Sequence, residues 1–136
     1  MRTDAGSGCR YERLNNGIHY FTFDLPSRAA MDDWAAHLRR IVMETPNGHT
    51  IRFIMDIRQT DILPVRNTYQ FGREWFDGGV SCPRMRTVVL HGSDAHMTVT
   101  RDFIRLLRDN AYWTFRFFDS DHLTDAHNWL RADAYQ

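Results

Sequence analysis

The chain contains no lysine, because all seventeen of its basic residues are arginine. It therefore has no amine for a Schiff base, no lysine for a phosphate-binding P-loop and no serine–lysine dyad, and the enzyme mechanisms that need these groups are excluded. Seventeen acidic residues give a formal net charge of zero, and neither sign forms a long block. We therefore expect no nucleic-acid partner and no electrostatic attraction to a membrane.

Cysteine is scarce as well. Cys9 and Cys82 form neither a Cys-x-x-Cys pair nor a disulfide framework, so we expect reduced thiols. No apolar run approaches the roughly 18 residues of a membrane span, and residues 1–8 have no apolar segment of the signal-peptide kind. These patterns predict no membrane insertion and a cytoplasmic protein.

The composition is that of a globular protein, with 43% hydrophobic and 13% aromatic residues in a chain of 136. This length fits one domain of about 100–200 residues, which has enough apolar surface for a core without disulfides or metal. No repeat or Pro/Gly-rich linker divides the chain. We predict a flexible tail at residues 1–8 and a single domain over residues 9–136.

The first elements are a hairpin and a helix. Asn15-Asn16-Gly17 predicts a tight turn between strands 9–14 and 18–24, since Asn and Gly tolerate positive φ. Ser27 can cap a helix that ends before Pro46. Six apolar residues would share the inward face of this helix: Met31, Trp34, Ala35, Leu38, Ile41 and Val42.

Strands and helices then alternate. The predicted strands are 51–57, 86–91 and 113–118, and the predicted helices are 64–76, 93–110 and 121–131. In the last helix we expect Ser120 or Asp121 as the cap, with Leu123, Ala126 and Leu130 facing inward. This alternation predicts an α/β fold with a four- or five-stranded, mostly parallel mixed sheet, an antiparallel N-terminal hairpin strand and about four helices.

Several segments carry a family resemblance. They are Ile51–Asp56, Arg86–Gly92, and Phe115–Ser120 followed by Ala126-His127-Asn128-Trp129-Leu130. Together with the element order, they resemble the SpoIIAA-like or STAS family, the domain of anti-sigma-factor antagonists and of small bacterial proteins. The resemblance implies a regulatory protein-interaction module. Family antagonists are switched by phosphorylation of a serine in an Asp-Ser-Ser-Gly turn. Here the matching turn is Asp61-Ile62-Leu63-Pro64, which lacks a hydroxyl, so we predict no phosphoryl switch.

Polar residues gather at the predicted carboxyl ends of the parallel strands, where open α/β sheets bind ligands. The strand-end ligand candidates are Asp56, Asp61, His91 and Asp94, and Asp24 and Asp119 lie at the same edge. Two interpretations stay open. The carboxylates could form a small polar or cation site, or they could cap backbone N–H groups at loop and helix starts.

Metal and nucleophile motifs are weak. His91 and His96 are five residues apart, as are His122 and His127, whereas ligands on one helix face need a spacing of three or four. Cys82 could approach His91 or His96, but it lies in no recognisable hydrolase motif. We therefore predict no metal, no cofactor and no catalytic residue.

The predicted helix 64–76 carries more aromatic surface than one sheet face needs. Its inward face is formed by Val65, Thr68, Tyr69, Gly72 and Phe76, while Phe71 and Trp75 lie on an adjoining flank with Arg66 and Arg73 beside them. A deeply packed helix would explain this band. We predict instead a partner-binding surface in a homodimer or with another protein. The alternative is a small apolar, lipid-like ligand held against helix 93–110, lined by Trp75, Phe76, Phe103 and Leu107.

Overall fold

The computed structural model describes residues 2–3, 8–25, 27–46, 48–60, 84–92 and 113–132. These residues form one mixed sheet flanked by helices on its two faces. The elements are strands β1 (Arg2–Thr3), β2 (Cys9–Arg13), β3 (His19–Phe23), β4 (Thr50–Asp56), β5 (Arg84–His91) and β6 (Trp113–Asp119), with helices α1 (Arg28–Glu44) and α2 (Leu123–Arg131).

The six strands lie in sequence order across the sheet. β1 and β2 are antiparallel, β2 and β3 are antiparallel, and β3 to β6 run parallel. The predicted α/β class and mostly parallel sheet are therefore confirmed. The difference is β1, a two-residue edge strand within the segment expected to be a flexible tail. It adds a sixth strand to five of five to eight residues each.

The Asn-Gly hairpin is confirmed by its register. Arg13 is opposite His19, and Gly17 adopts a φ of +84°, which a residue without Cβ accepts readily. The N–H of Leu14 donates to the carbonyl of Ile18 at 2.8 Å and closes the loop. This register places Tyr11, Arg13 and His19 on one face, a fact that matters for the cavity described below.

Helix α1 covers one face of the sheet. Ser27 caps it as predicted, since its Oγ accepts from the N–H of Ala30 at 3.0 Å. The buried residues are Ala30, Trp34, Ala35, Leu38, Ile41 and Val42, so Ala30 takes the inward place that was expected for Met31. They pack on apolar side chains of β2 to β6, including Phe21, Phe53 and Phe115. This is the larger of two apolar clusters.

The second face is covered by α2, whose Ala126 and Leu130 pack on Ile54, Val88 and Leu90. The expectation for Leu123 is wrong, because its side chain is 37% exposed. A 3₁₀ turn at Ser120–His122 precedes α2, and the Asp119 side chain caps this turn by accepting from the N–H of Asp121. The cap position of α2 is His122, which makes no side-chain cap hydrogen bond, in place of the expected Ser120 or Asp121. A 3₁₀ turn has fewer residues per turn than an α-helix, so the side chains of α2 face other directions than a continuous α-helix from residue 121 would give them.

Two arginines anchor the end of α2. Arg52 Nε donates to the carbonyl of Leu130 at 2.8 Å, and Arg86 donates to the carbonyl of Trp129 while its guanidinium lies 4.0 Å from the Trp129 ring centroid. Such cations satisfy the carbonyls that a helix leaves without partners at its C-terminus. The short terminal helix is therefore fixed to both β4 and β5.

The predicted helices 64–76 and 93–110 lie outside the described residues, so the expected total of about four helices is represented here by two. In the part of the chain that the structure describes, no helix is long and apolar enough to cross a membrane.

Candidate functional site

The carboxyl ends of β4, β5 and β6 meet at one edge of the sheet, as the sequence predicts. Asp56 is in register with Leu90, and His91 is in register with Asp119. Side chains alternate between faces along a strand, so Asp56 lies on the α2 face while His91 lies on the α1 face, where its ring contacts Phe117. The structure therefore brings these two candidates to one edge without joining them in one site.

Asp56 is the centre of a closed network. Its two oxygens accept from Arg58 Nε at 2.9 Å and from an Arg58 terminal nitrogen at 2.7 Å, and the Tyr20 hydroxyl donates to it at 2.8 Å. The backbone N–H of Arg58 donates as well, at 3.2 Å. Only 7% of Asp56 is exposed. Its acceptor positions are therefore used by the chain itself.

The titration behaviour of this network follows from its geometry. Burial would raise the pKa of Asp56, but the hydrogen bonds from Arg58 and Tyr20 hold that pKa below its ordinary value. Burial, together with the hydrogen bond to Asp56, raises the pKa of the Tyr20 hydroxyl to about 12. The hydrogen bonds to Asp56 also raise the pKa of Arg58. Near pH 7 the three groups are fixed as an ion pair with a neutral phenol.

The other described carboxylates of this edge are also engaged. Asp24 receives two hydrogen bonds from Arg10, at 2.6 and 3.0 Å, across the β2–β3 hairpin. Asp119 lies 2.6 Å from His122 Nδ1, and this pair is exposed. The hydrogen bond raises the pKa of His122 and lowers that of Asp119. Ion pairing and capping therefore account for Asp24, Asp56 and Asp119.

The remaining predicted site residues lie outside the described part of the chain. They are Asp61 and Asp94 at the strand ends, the partner-surface residues Arg66, Phe71, Arg73 and Trp75, and the apolar-pocket residues Phe76, Phe103 and Leu107. Among the residues the structure does describe, no group of three or more His, Cys, Asp or Glu could hold a metal ion. Cys9 is buried, and burial raises the pKa of its thiol to about 12, which makes it an inert core residue.

A cavity of about 660 Å³ lies at the opposite edge of the sheet, where sequence reasoning proposed no site. It is formed by the end of β2, the hairpin turn, the start of β3, the last turn of α1 and the loop into β4. Arg13, His19, Arg40 and Glu44 are among its lining residues, with Tyr11 at its wall. We call this space the amino-edge cavity, because it lies at the amino ends of β3 and β4.

Aromatic and basic side chains beside this cavity contact one another through hydrogen bonds and ring stacking. The Tyr11 hydroxyl lies 2.7 Å from His19 Nδ1, and the Tyr11 ring stacks on His37 with centroids 4.9 Å apart. Arg40 places its guanidinium 5.8 Å from the Tyr11 centroid and donates to His37 Nδ1 at 3.0 Å. Because arginine has no acceptor, His37 Nδ1 accepts, and the neutral ring carries its proton on Nε2.

His19, which lines the cavity, and His37, which stacks on Tyr11 beside it, are held neutral. Burial, together with the positive charges of Arg13 and Arg40, lowers the pKa of His19 to about 4. Burial also lowers the pKa of His37, with Asp33 and Arg40 acting in opposite senses. Near pH 7 the cavity therefore combines fixed guanidinium charge with neutral imidazole N–H donors.

Comparisons with models of known families, with curated proteins and with solved structures find no match for this chain. The likeness to the SpoIIAA-like family stays a prediction from the sequence pattern.

Proposed function

We propose that this protein is a non-enzymatic regulatory or protein-interaction module of the STAS/SpoIIAA-like type that lacks the phosphoacceptor serine of that family. The carboxyl edge of the sheet carries this proposal. Three described carboxylates there, Asp24, Asp56 and Asp119, are held by partners from the chain itself, namely Arg10, Arg58 and His122. Carboxylates used in this way position loops and are poor ligands for a further cation. The edge at which α/β enzymes assemble their sites is, in its described part, occupied by structural contacts.

The arrangement of elements supports the same proposal. A hairpin leads into parallel strands, with α1 on one face and a terminal helix on the other, in the order that the resemblance implies. In the stretch matching the family's acceptor turn, Ile62 and Leu63 precede Pro64. Interaction would then depend on surface complementarity without a phosphoryl switch.

The surface we assign to the partner is the aromatic flank formed by Phe71 and Trp75, with Arg66 and Arg73 beside it. Apolar side chains beyond those needed to cover a sheet face cost roughly 25 cal/mol per Å² when left in water. A second copy of the chain is the simplest partner that would cover them. The alternative, a lipid-like ligand lined by Trp75, Phe76, Phe103 and Leu107, concerns residues outside the described part of the chain.

Sedimentation velocity tests this proposal. The wild-type chain is expected to form a homodimer or higher oligomer, and Phe71→Ser combined with Trp75→Ser should shift it toward monomer with an unchanged circular dichroism spectrum. Met43→Ser is the matched control, because Met43 is apolar, 74% exposed and on α1. This control should leave the oligomer intact.

Two results would overturn the proposal. A wild-type chain that sediments as a monomer at high micromolar concentration has no self-association surface. A double variant that unfolds shows that Phe71 and Trp75 belong to the core.

A further inference from the structure

We propose that the amino-edge cavity binds a small organic anion, with its carboxylate or phosphate group held between Arg13 and Arg40. This site does not involve the Phe71–Trp75 surface, so it stands or falls separately from the proposed function.

The cavity lining carries an excess of positive charge. Arg13 and Arg40 both line it, and among the residues that the structure describes no carboxylate lies within 4.0 Å of either guanidinium. Glu44 is the single acidic side chain among the described lining residues. Two like charges facing one space repel each other unless an anion lies between them.

Two other groups near the cavity, Arg52 and the C-terminal carbonyls of α1, affect how well it could bind an anion. Arg52 also lines the cavity, but its Nε is held by the carbonyl of Leu130. The C-terminal carbonyls of α1 point toward this edge and would repel an anion. Thr45 covers two of them, because its Oγ1 donates to the carbonyl of Ile41 and its N–H donates to that of Val42. The negative end of the helix is thereby weakened next to the cavity.

The Arg40 guanidinium is also held in place before any ligand arrives. The Tyr11 ring and His37 Nδ1 fix the Arg40 guanidinium, which carries five N–H donors, of which His37 takes one. Guanidinium groups bind carboxylates and phosphates through paired hydrogen bonds, and a fixed guanidinium loses less entropy on binding. A volume of about 660 Å³ lies within the usual range of small-molecule sites. It leaves room for an organic group beside the anion.

Calorimetric titration of the full chain with inorganic phosphate and, separately, with succinate tests the site. Sodium chloride keeps the ionic strength constant in every titration. At least one probe should bind saturably with a stoichiometry of one, and Arg13→Gln and Arg40→Gln should each weaken binding about tenfold or more. Arg28→Gln is the control, since Arg28 lies at the other end of α1 and its side chain is 85% exposed. It should change the affinity less than about twofold.

The pattern across probes identifies the ligand class. Binding of phosphate alone assigns a phosphorylated ligand, binding of succinate alone assigns a carboxylate, and binding of both assigns a general oxyanion site. The proposal is overturned if neither probe binds at concentrations up to about 10 mM, about tenfold above the dissociation constant of a weak, 1 mM ligand. It is also overturned if all three variants weaken binding equally, because that would show a diffuse charge effect.

Discussion

At the carboxyl end of the parallel strands, the guanidinium of Arg58 meets the carboxylate of Asp56, and Tyr20 completes the pair. At the amino end, the guanidinium groups of Arg13 and Arg40 line a cavity beside the neutral His19 and His37. The same side-chain chemistry thus gives a stabilising contact at one edge and an unbalanced charge at the other. The difference is that the carboxylate at the first edge belongs to the chain, whereas at the second edge we expect it to come from a ligand.

Helix α2 covers the sheet face on which Asp56 lies, so the packing of this helix is the first feature to test. Leu130 is fully buried, and Leu130→Ala is expected to lower the free energy of unfolding by about 2–5 kcal/mol, as for other large-to-small core changes. Leu123→Ala in the same helix is the control and should cost less than about 1 kcal/mol, because Leu123 is 37% exposed. Urea denaturation measures both. A loss below about 1 kcal/mol for Leu130→Ala would mean that α2 is peripheral.

The second change removes the charge that closes the carboxyl edge. Asp56→Asn leaves Arg58 without its counter-charge. We expect the free energy of unfolding, measured by urea denaturation, to fall by about 2–4 kcal/mol, which is less than for a fully buried pair because Arg58 is partly exposed. Asp119→Asn, at the same edge but in an exposed pair, should change stability by less than about 1 kcal/mol. Equal effects of the two variants would contradict a structural role special to Asp56.

The third prediction concerns the pH dependence that the amino edge should produce. The pKa of His19 is about 4 in the folded chain and 6.5 in its ordinary state, so between these values the unfolded chain binds a proton that the folded chain does not. Stability should therefore fall as pH drops from about 6.5 to about 4, by at most about 3 kcal/mol. His37, whose pKa is also lowered, contributes in the same direction.

His19→Gln should flatten this slope in denaturant melts taken from pH 7 to pH 4. His122→Gln provides a contrast of opposite sign, because its pKa is raised by Asp119. The stability from that pair is present at low pH and is lost as pH rises through the folded pKa of His122. An unchanged slope in His19→Gln would show that the cavity does not hold this histidine neutral.

Much of the fold follows from local sequence rules. The Asn-Gly turn sets the hairpin register, the Ser27 cap starts α1, and the apolar runs become β4, β5 and β6. Leu123 was wrongly expected to face inward because a helical period was extended through residues 120–122, where the chain forms a 3₁₀ turn. A change of helical pitch over three residues leaves no mark in an apolar pattern.

The two edges were predictable to different degrees. Asp56 was correctly placed at the carboxyl edge, but its pairing with Arg58, only two residues later, depends on how the chain turns after β4. The amino-edge cavity had a partial signal, since the hairpin register already places Tyr11, Arg13 and His19 on one face. The approach of His37 and Arg40 from α1 is a tertiary contact, which no local pattern specifies.

The contrast between a closed and an open edge is tested most directly by one NMR titration of the wild-type chain with inorganic phosphate and then succinate. Imidazole signals of His19 and His37 report on the amino edge, and the side-chain Nε–H of Arg58 with the ring signals of Tyr20 reports on the carboxyl edge. We predict saturable shifts of the histidine signals and none of Arg58 or Tyr20. Shifts confined to Arg58 and Tyr20 would contradict the account, since they would place the anion at the edge that Asp56 is held to close.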